Sequence, residues 1–138
     1  NKEWEVRQGA LLALKYTVIV MKSVVKNESD EYHQESLLVS RQVAIQCLED
    51  RSDDVQSTAA QVLMALIAGG EQVLERQDIV RKAINPLWSS LEAVRFVSSC
   101  TVDLVRLFST LISRDCALVL ASLNMESSVW GVLGRILN

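Results

Sequence analysis

One spacing recurs three times along this chain, and few folds can satisfy it. Windows starting at Val6, Val55 and Phe96 carry a small residue four positions on (Ala10, Ala59, Cys100) and a leucine eight positions on (Leu14, Leu63, Leu104). Eleven positions on they carry Thr17, Leu66 and Leu107. At about 3.6 residues per turn, offsets of four, eight and eleven fall on one face of a helix. The small side chain lets a neighbouring helix approach closely, and the leucine fills the contact. The spacing predicts three equivalent helices near 4–25, 53–69 and 96–113, with Val6, Ala10 and Leu14 on the packed face of the first and Gly9 easing its contact.

The starts lie 49 and 41 residues apart, and the polar stretch KNESDEYHQE at 26–35 accounts for the longer interval as an insertion. Between the windows, 36–49 and 79–92 carry apolar residues at helical spacing, and a third such partner is expected from about Ser127. Two helices repeating every ~40–47 residues are the signature of HEAT- and armadillo-type solenoids. The expected fold is therefore all-α: a fragment of a HEAT-repeat (armadillo-type) α-solenoid built of antiparallel helix pairs. About three partial units would stack with a right-handed turn. WEVRQGALLALKY at 4–16 would be the second helix of a unit whose first helix is not in the chain. With a start at Asn1 and an end just after an apolar helix-like segment, the chain reads as a piece of a longer array.

Punctuation supports this layout. Asp53 and Asp54 precede Val55, where carboxylates suit a helix N-terminus, and Gly69-Gly70 suits its C-terminus. Pro86 lies inside a helical pattern and costs on the order of 3 kcal/mol there unless accommodated, which predicts a kink or break near Ile84 and Asn85. Short turns are expected at Arg114-Asp115 and Asn124-Met125. Trp4, Trp88 and Trp130 are expected as buried helix ends, and Cys47, Cys100 and Cys116 as reduced core thiols, being odd in number and without C-x-x-C spacing.

Several function classes lose support. The formal charge of -3 lacks the basic footprint that direct nucleic-acid binding needs. Apolar runs such as 18–21 are far shorter than the ~20 residues of a membrane span. No G-x-x-x-x-G-K-S/T phosphate loop occurs, and His33, the only histidine, falls in the polar insertion as a solvated loop residue. No metal cluster or nucleophile–histidine arrangement can be assembled around it. The expectation is a segment with no catalytic, cofactor-binding or metal-binding residues, no small-molecule substrate and no membrane contact.

Two acidic clusters remain: Glu28, Asp30, Glu31 and Glu35 in the insertion, and Glu49, Asp50, Asp53 and Asp54 around the turn between paired helices. The first suits a solubilising loop. The second suits either helix capping or contact with a basic partner surface, because such turns line one edge of a solenoid. Asp53 and Asp54 sit where caps belong, whereas Glu49 and Asp50 come before the cap.

The spelling of three segments goes further than a generic repeat. WEVRQGALLALKY resembles W-E-V-R-H-G-G-L-L-G-I-K-Y of the N-terminal HEAT array of the modifier-of-transcription, Swi/Snf-type ATPase family. CLEDRSDDVQSTAAQVL looks like that family's G-L-x-D-x-D-D-D-V-R-x-x-A-A-x-x-L, and INPLWSSL like its I-N-x-L-W-x-x-L, in the same order, over about 4–91. Gln8 stands where the family commonly has histidine and Gln56 where it commonly has arginine. The resemblance implies a nuclear transcription regulator whose solenoid grips TATA-binding protein so that a C-terminal ATPase, absent here, removes it from DNA. It makes Glu49, Asp50, Asp53 and Asp54 the candidate contacts to a basic patch on that partner. An interaction scaffold of another HEAT class, such as a nuclear transport receptor or a phosphatase scaffold, is the alternative.

Overall fold

The computed structural model describes residues 3–24, 31–68 and 73–123 together with residue 136. It contains α1 (Glu3–Val24), α2 (Glu31–Cys47), α3 (Asp53–Ile67), α4 (Val73–Glu92), α5 (Ser99–Arg114) and α6 (Cys116–Leu123). Among the described residues there is no strand, and no helix is long and apolar enough to cross a membrane.

The helices form two layers, with α1, α3 and α5 side by side and α2, α4 and α6 behind them. Within a layer neighbours run parallel. Lys15 near the middle of α1 meets Gln61 near the middle of α3, and Lys22 at the end of α1 meets the carbonyl of Leu66. Ser57 likewise meets Asp103, and Arg114 meets the carbonyl of Ile67. In the second layer Arg41 pairs with Asp78, and Ser90 bonds to the carbonyl of Leu48 further along. A tight turn after α2, with Leu48 N–H bonded to Ile45 O and Asp50 N–H to Cys47 O, reverses the chain into α3. Antiparallel pairs stacked in this way are consistent with an α-solenoid.

The core lies between the layers. α3 buries Val55, Ala59, Ala60, Val62, Leu63, Leu66 and Ile67, because α1 and α5 flank it and α2 backs it. α4 supplies Ile79, Val80, Ala83, Ile84, Leu87, Trp88 and Leu91, and Trp88 meets Phe108 of α5 with ring centroids 5.7 Å apart. That stripe explains why α4 passes through Pro86 without the expected break: apolar side chains on both sides of the proline are buried in one core. Their burial offsets the local cost of the ring and the missing N–H.

Several expectations change. On α1 the buried or packed stripe is Trp4, Leu11, Leu14, Val18 and Met21, with Arg7 in its register; Val6 is 73% exposed and Ala10 is exposed. Gly9 faces open space, so it eases no contact. The reason is geometric: α1 packs on α3 through residues 44 to 46 apart in sequence, not 49, so the matched windows present different faces. α2 begins at Glu31, which places Glu31, His33 and Glu35 on a helix rather than in the insertion; Glu28 and Asp30 lie outside the described residues. α5 begins three residues after Phe96, itself 87% exposed, because Ser98 forms a capping box with Thr101. Ser52, not Asp53 or Asp54, occupies the N-cap position of α3 and makes no side-chain cap bond.

Asp115 ends α5 as expected, but the next helix starts at once, at Cys116; the expected start near Ser127, the turn at 124–125, Trp130 and Gly69-Gly70 lie outside the described residues. Trp88 is buried and Trp4 half-buried. Cys47 and Cys100 are half-buried free thiols, whereas Cys116 is exposed.

Candidate interaction surfaces

The N-terminal ends of α1, α3 and α5 lie along one edge of the array, and the α2–α3 turn carries the acidic cluster to that edge. Its four carboxylates do not behave alike. Asp50 accepts from Arg7 Nε at 2.7 Å and Nη2 at 2.9 Å, and from the Ser52 amide at 2.9 Å. The Arg7 guanidinium holds the Asp50 carboxyl below its ordinary range; burial opposes this, and the Ser52 and Arg51 amides reinforce it. Gln56 adds a bond from its amide to the Asp50 carbonyl at 2.6 Å. Asp50 is thus committed to fastening α1 to the α2–α3 turn.

Glu49, Asp53 and Asp54 are exposed. Asp53 and Asp54 occupy the first turn of α3, where their charge complements the positive end of the helix. Asp54 also accepts a bond from the Cys100 thiol at 3.5 Å. Burial, then Asp54, pushes that thiol above its ordinary range, and burial does the same to Cys47, so both are protonated and weakly nucleophilic at neutral pH. With Asp50 internally paired, the exposed charges of the turn are Glu49, Asp53, Asp54 and Arg51, a sum of -3 + 1 = -2. An open groove of about 740 Å³ adjoins them, lined by Glu3, Trp4, Gln46 and Arg51 among others. The edge offers fixed negative charge beside a partly apolar cleft, which suits a basic protein surface.

A second surface escaped the sequence reading. Across the outer face of α1, α3 and α5 runs a polar ladder: Lys15 Nζ donates to Gln61 Oε1 at 3.0 Å, and Gln61 Nε2 donates to Asp103 Oδ2 at 3.0 Å. Ser57 donates to the same Asp103 oxygen at 2.5 Å. Beside it a groove of about 440 Å³ opens among Lys15, Ile19, Lys22, Met64, Ala65 and Arg106. Gln61, a long polar residue inside the apolar run AAQVLMALI, is the one signal in the sequence that marks this face. Among the described residues, no group of three or more His, Cys, Asp or Glu side chains is placed to hold a metal ion.

No family model matches the chain, and no solved structure matches it. Among curated proteins, human TATA-binding protein-associated factor 172 is 26% identical to it over 137 residues, which covers 96% of this chain and 7% of that protein. This is a distant relationship, and the chain spans a small fraction of the length of the curated relative it matches.

Proposed function

We propose that this chain is a protein-binding segment of a HEAT-type solenoid in a nuclear transcription regulator, and that it grips TATA-binding protein so that an ATPase domain elsewhere in the protein can remove it from DNA. The observation that carries this reading is the similarity to TATA-binding protein-associated factor 172 along nearly the whole chain. A layered array of parallel helices with a charged edge supports it, because such arrays bind along their surfaces. The segment itself is non-catalytic: it positions a partner, and the chemistry lies outside it.

The contact is the acidic edge at Glu49, Asp53 and Asp54. Asp50 acts through the fold, by holding the turn against Arg7. Charge reversal at Glu49→Lys with Asp53→Lys in the full-length protein tests this, since neither side chain is buried. Association with TATA-binding protein should slow at low salt, and the difference should shrink as added salt screens the attraction. Unchanged association kinetics, with helical content preserved, would remove this edge from the interface.

A further inference from the structure

We propose that the groove crossing α1, α3 and α5 docks an acidic, amphipathic segment of a partner protein, whose carboxylates meet Lys15, Lys22 and Arg106 while an apolar side chain enters between Ile19, Met64 and Ala65. The inference does not depend on the TATA-binding protein reading: it concerns a different face, of opposite charge. The groove volume of about 440 Å³ lies in the range of sites that enclose a ligand's side chains.

Its electrostatics run against those of the molecule. The chain carries -3 overall, yet three cations and one carboxylate, Asp103, line this groove. Asp103 is already occupied by Ser57 and Gln61, and its approach to Arg106 is loose, at 4.0 Å. The Lys15 ammonium rests on a neutral amide oxygen, and the Lys22 ammonium on the carbonyls of Leu66 and Ala68 at the end of α3. Burial draws the Lys22 pKa down against the pull of Glu75, the state of an ammonium that gains from a further anion. A ligand carboxylate would give these ammonium groups an opposite full charge in place of neutral oxygens, turning each contact into an ion pair.

The floor decides which anion fits. Ile19 is 46% exposed, and Met64 and Ala65 are half-buried, so a purely phosphate ligand such as duplex DNA would leave apolar surface uncovered and would meet Asp103. Carboxylates spaced around a leucine or phenylalanine cover both. Met64 supplies an adaptable wall for such a side chain.

The test uses a dye-labelled synthetic helix-forming peptide of Glu, Leu and Phe, alongside the same peptide with every Glu replaced by Gln, titrated into the protein by fluorescence anisotropy. The acidic peptide should bind, with methyl resonances of Ile19 and Met64 shifting, and the Gln peptide should bind about tenfold more weakly. Arg106→Glu, at a 70% exposed side chain, should weaken the acidic peptide by a similar factor. Ala65→Trp should block it by filling the floor, and Ile19→Asp serves the same purpose if the tryptophan variant loses helicity. Equal binding of the two peptides, indifference to both Arg106→Glu and the floor variant, binding of a duplex oligonucleotide in preference to the peptide, or no binding at millimolar peptide would each overturn the proposal.

Discussion

α1 and α3 belong to the same layer and run in the same direction, yet they end up in different environments. α3 buries nine residues, including Ser57 and Thr58, whereas α1 buries Leu11 and Val18 and leaves Val6, Leu12, Tyr16, Ile19 and Val20 exposed. The difference does not come from apolar content, since both helices are rich in Leu, Val, Ala and Ile. It comes from the number of neighbours: α3 has α1 on one flank, α5 on the other and α2 behind, and α1 has α3 on one flank with α2 behind. A helix inside a stacked array can bury almost every face, so several apolar registers satisfy it. One covered on a single flank selects one stripe and displays the rest.

The comparison can be broken most forcefully at Leu63, which is fully buried in α3. Leu63→Ala should cost about 2–5 kcal/mol in urea denaturation, through lost burial and the cavity left behind. A loss below about half a kcal/mol would mean that α3 is not the centre of the array.

The next effect should come from the fastening of α1 to the turn that leads into α3. Asp50→Asn should lower the melting temperature at neutral pH by removing the negative charge and one of the two oxygens that accept from Arg7 and the Ser52 amide. Because the folded-state carboxyl lies below the ordinary 3.8, this contribution is present above that value and fades as the pH falls through the depressed folded-state value. Wild type and variant should therefore converge in acid. A stability difference independent of pH would assign the fastening to packing alone.

Helix starts sharpen the same contrast. Ser98→Ala should cost about 1 kcal/mol, since α5, flanked in its layer by α3, begins with a closed capping box. Ser52→Ala should cost less, because the Ser52 side chain makes no cap bond and α3 is held by its neighbours. Equal losses by thermal melting would contradict this. The smallest effect is expected at Val6: Val6→Ser, at a 73% exposed position, should leave the stability of this chain within about 0.5 kcal/mol. A larger loss would show that this face of α1 is covered in solution.

Much of the architecture was legible because helical periodicity is local. The alternation of paired helices, the end of α5 at Asp115, the burial of Leu63, Leu104 and Leu107, and the end of α4 at Glu92 all follow from spacing, whereas α4 starts at Val73, six residues before the expected 79. The face of α1 was not legible, because the matched window correctly placed a helix but could not say which side has a neighbour. The acidic turn was legible as a turn and as a charge cluster. Asp50 and its three neighbours looked equivalent, and only the approach of Arg7 from 43 residues away separates the one that fastens the fold from those that face solvent.

By itself, the order of residues determined that this chain is helical, that its helices pair, and where apolar stripes and charge clusters lie along them, since each depends on contacts within a few turns. Only the tertiary structure decided which stripe is covered, which carboxylate is neutralised, and that Lys15, Gln61 and Asp103 form one ladder across three helices. The physical reason is range. Hydrogen bonds within a helix couple residues four apart, whereas these contacts join residues 42 to 46 apart, whose meeting depends on how the layers stack.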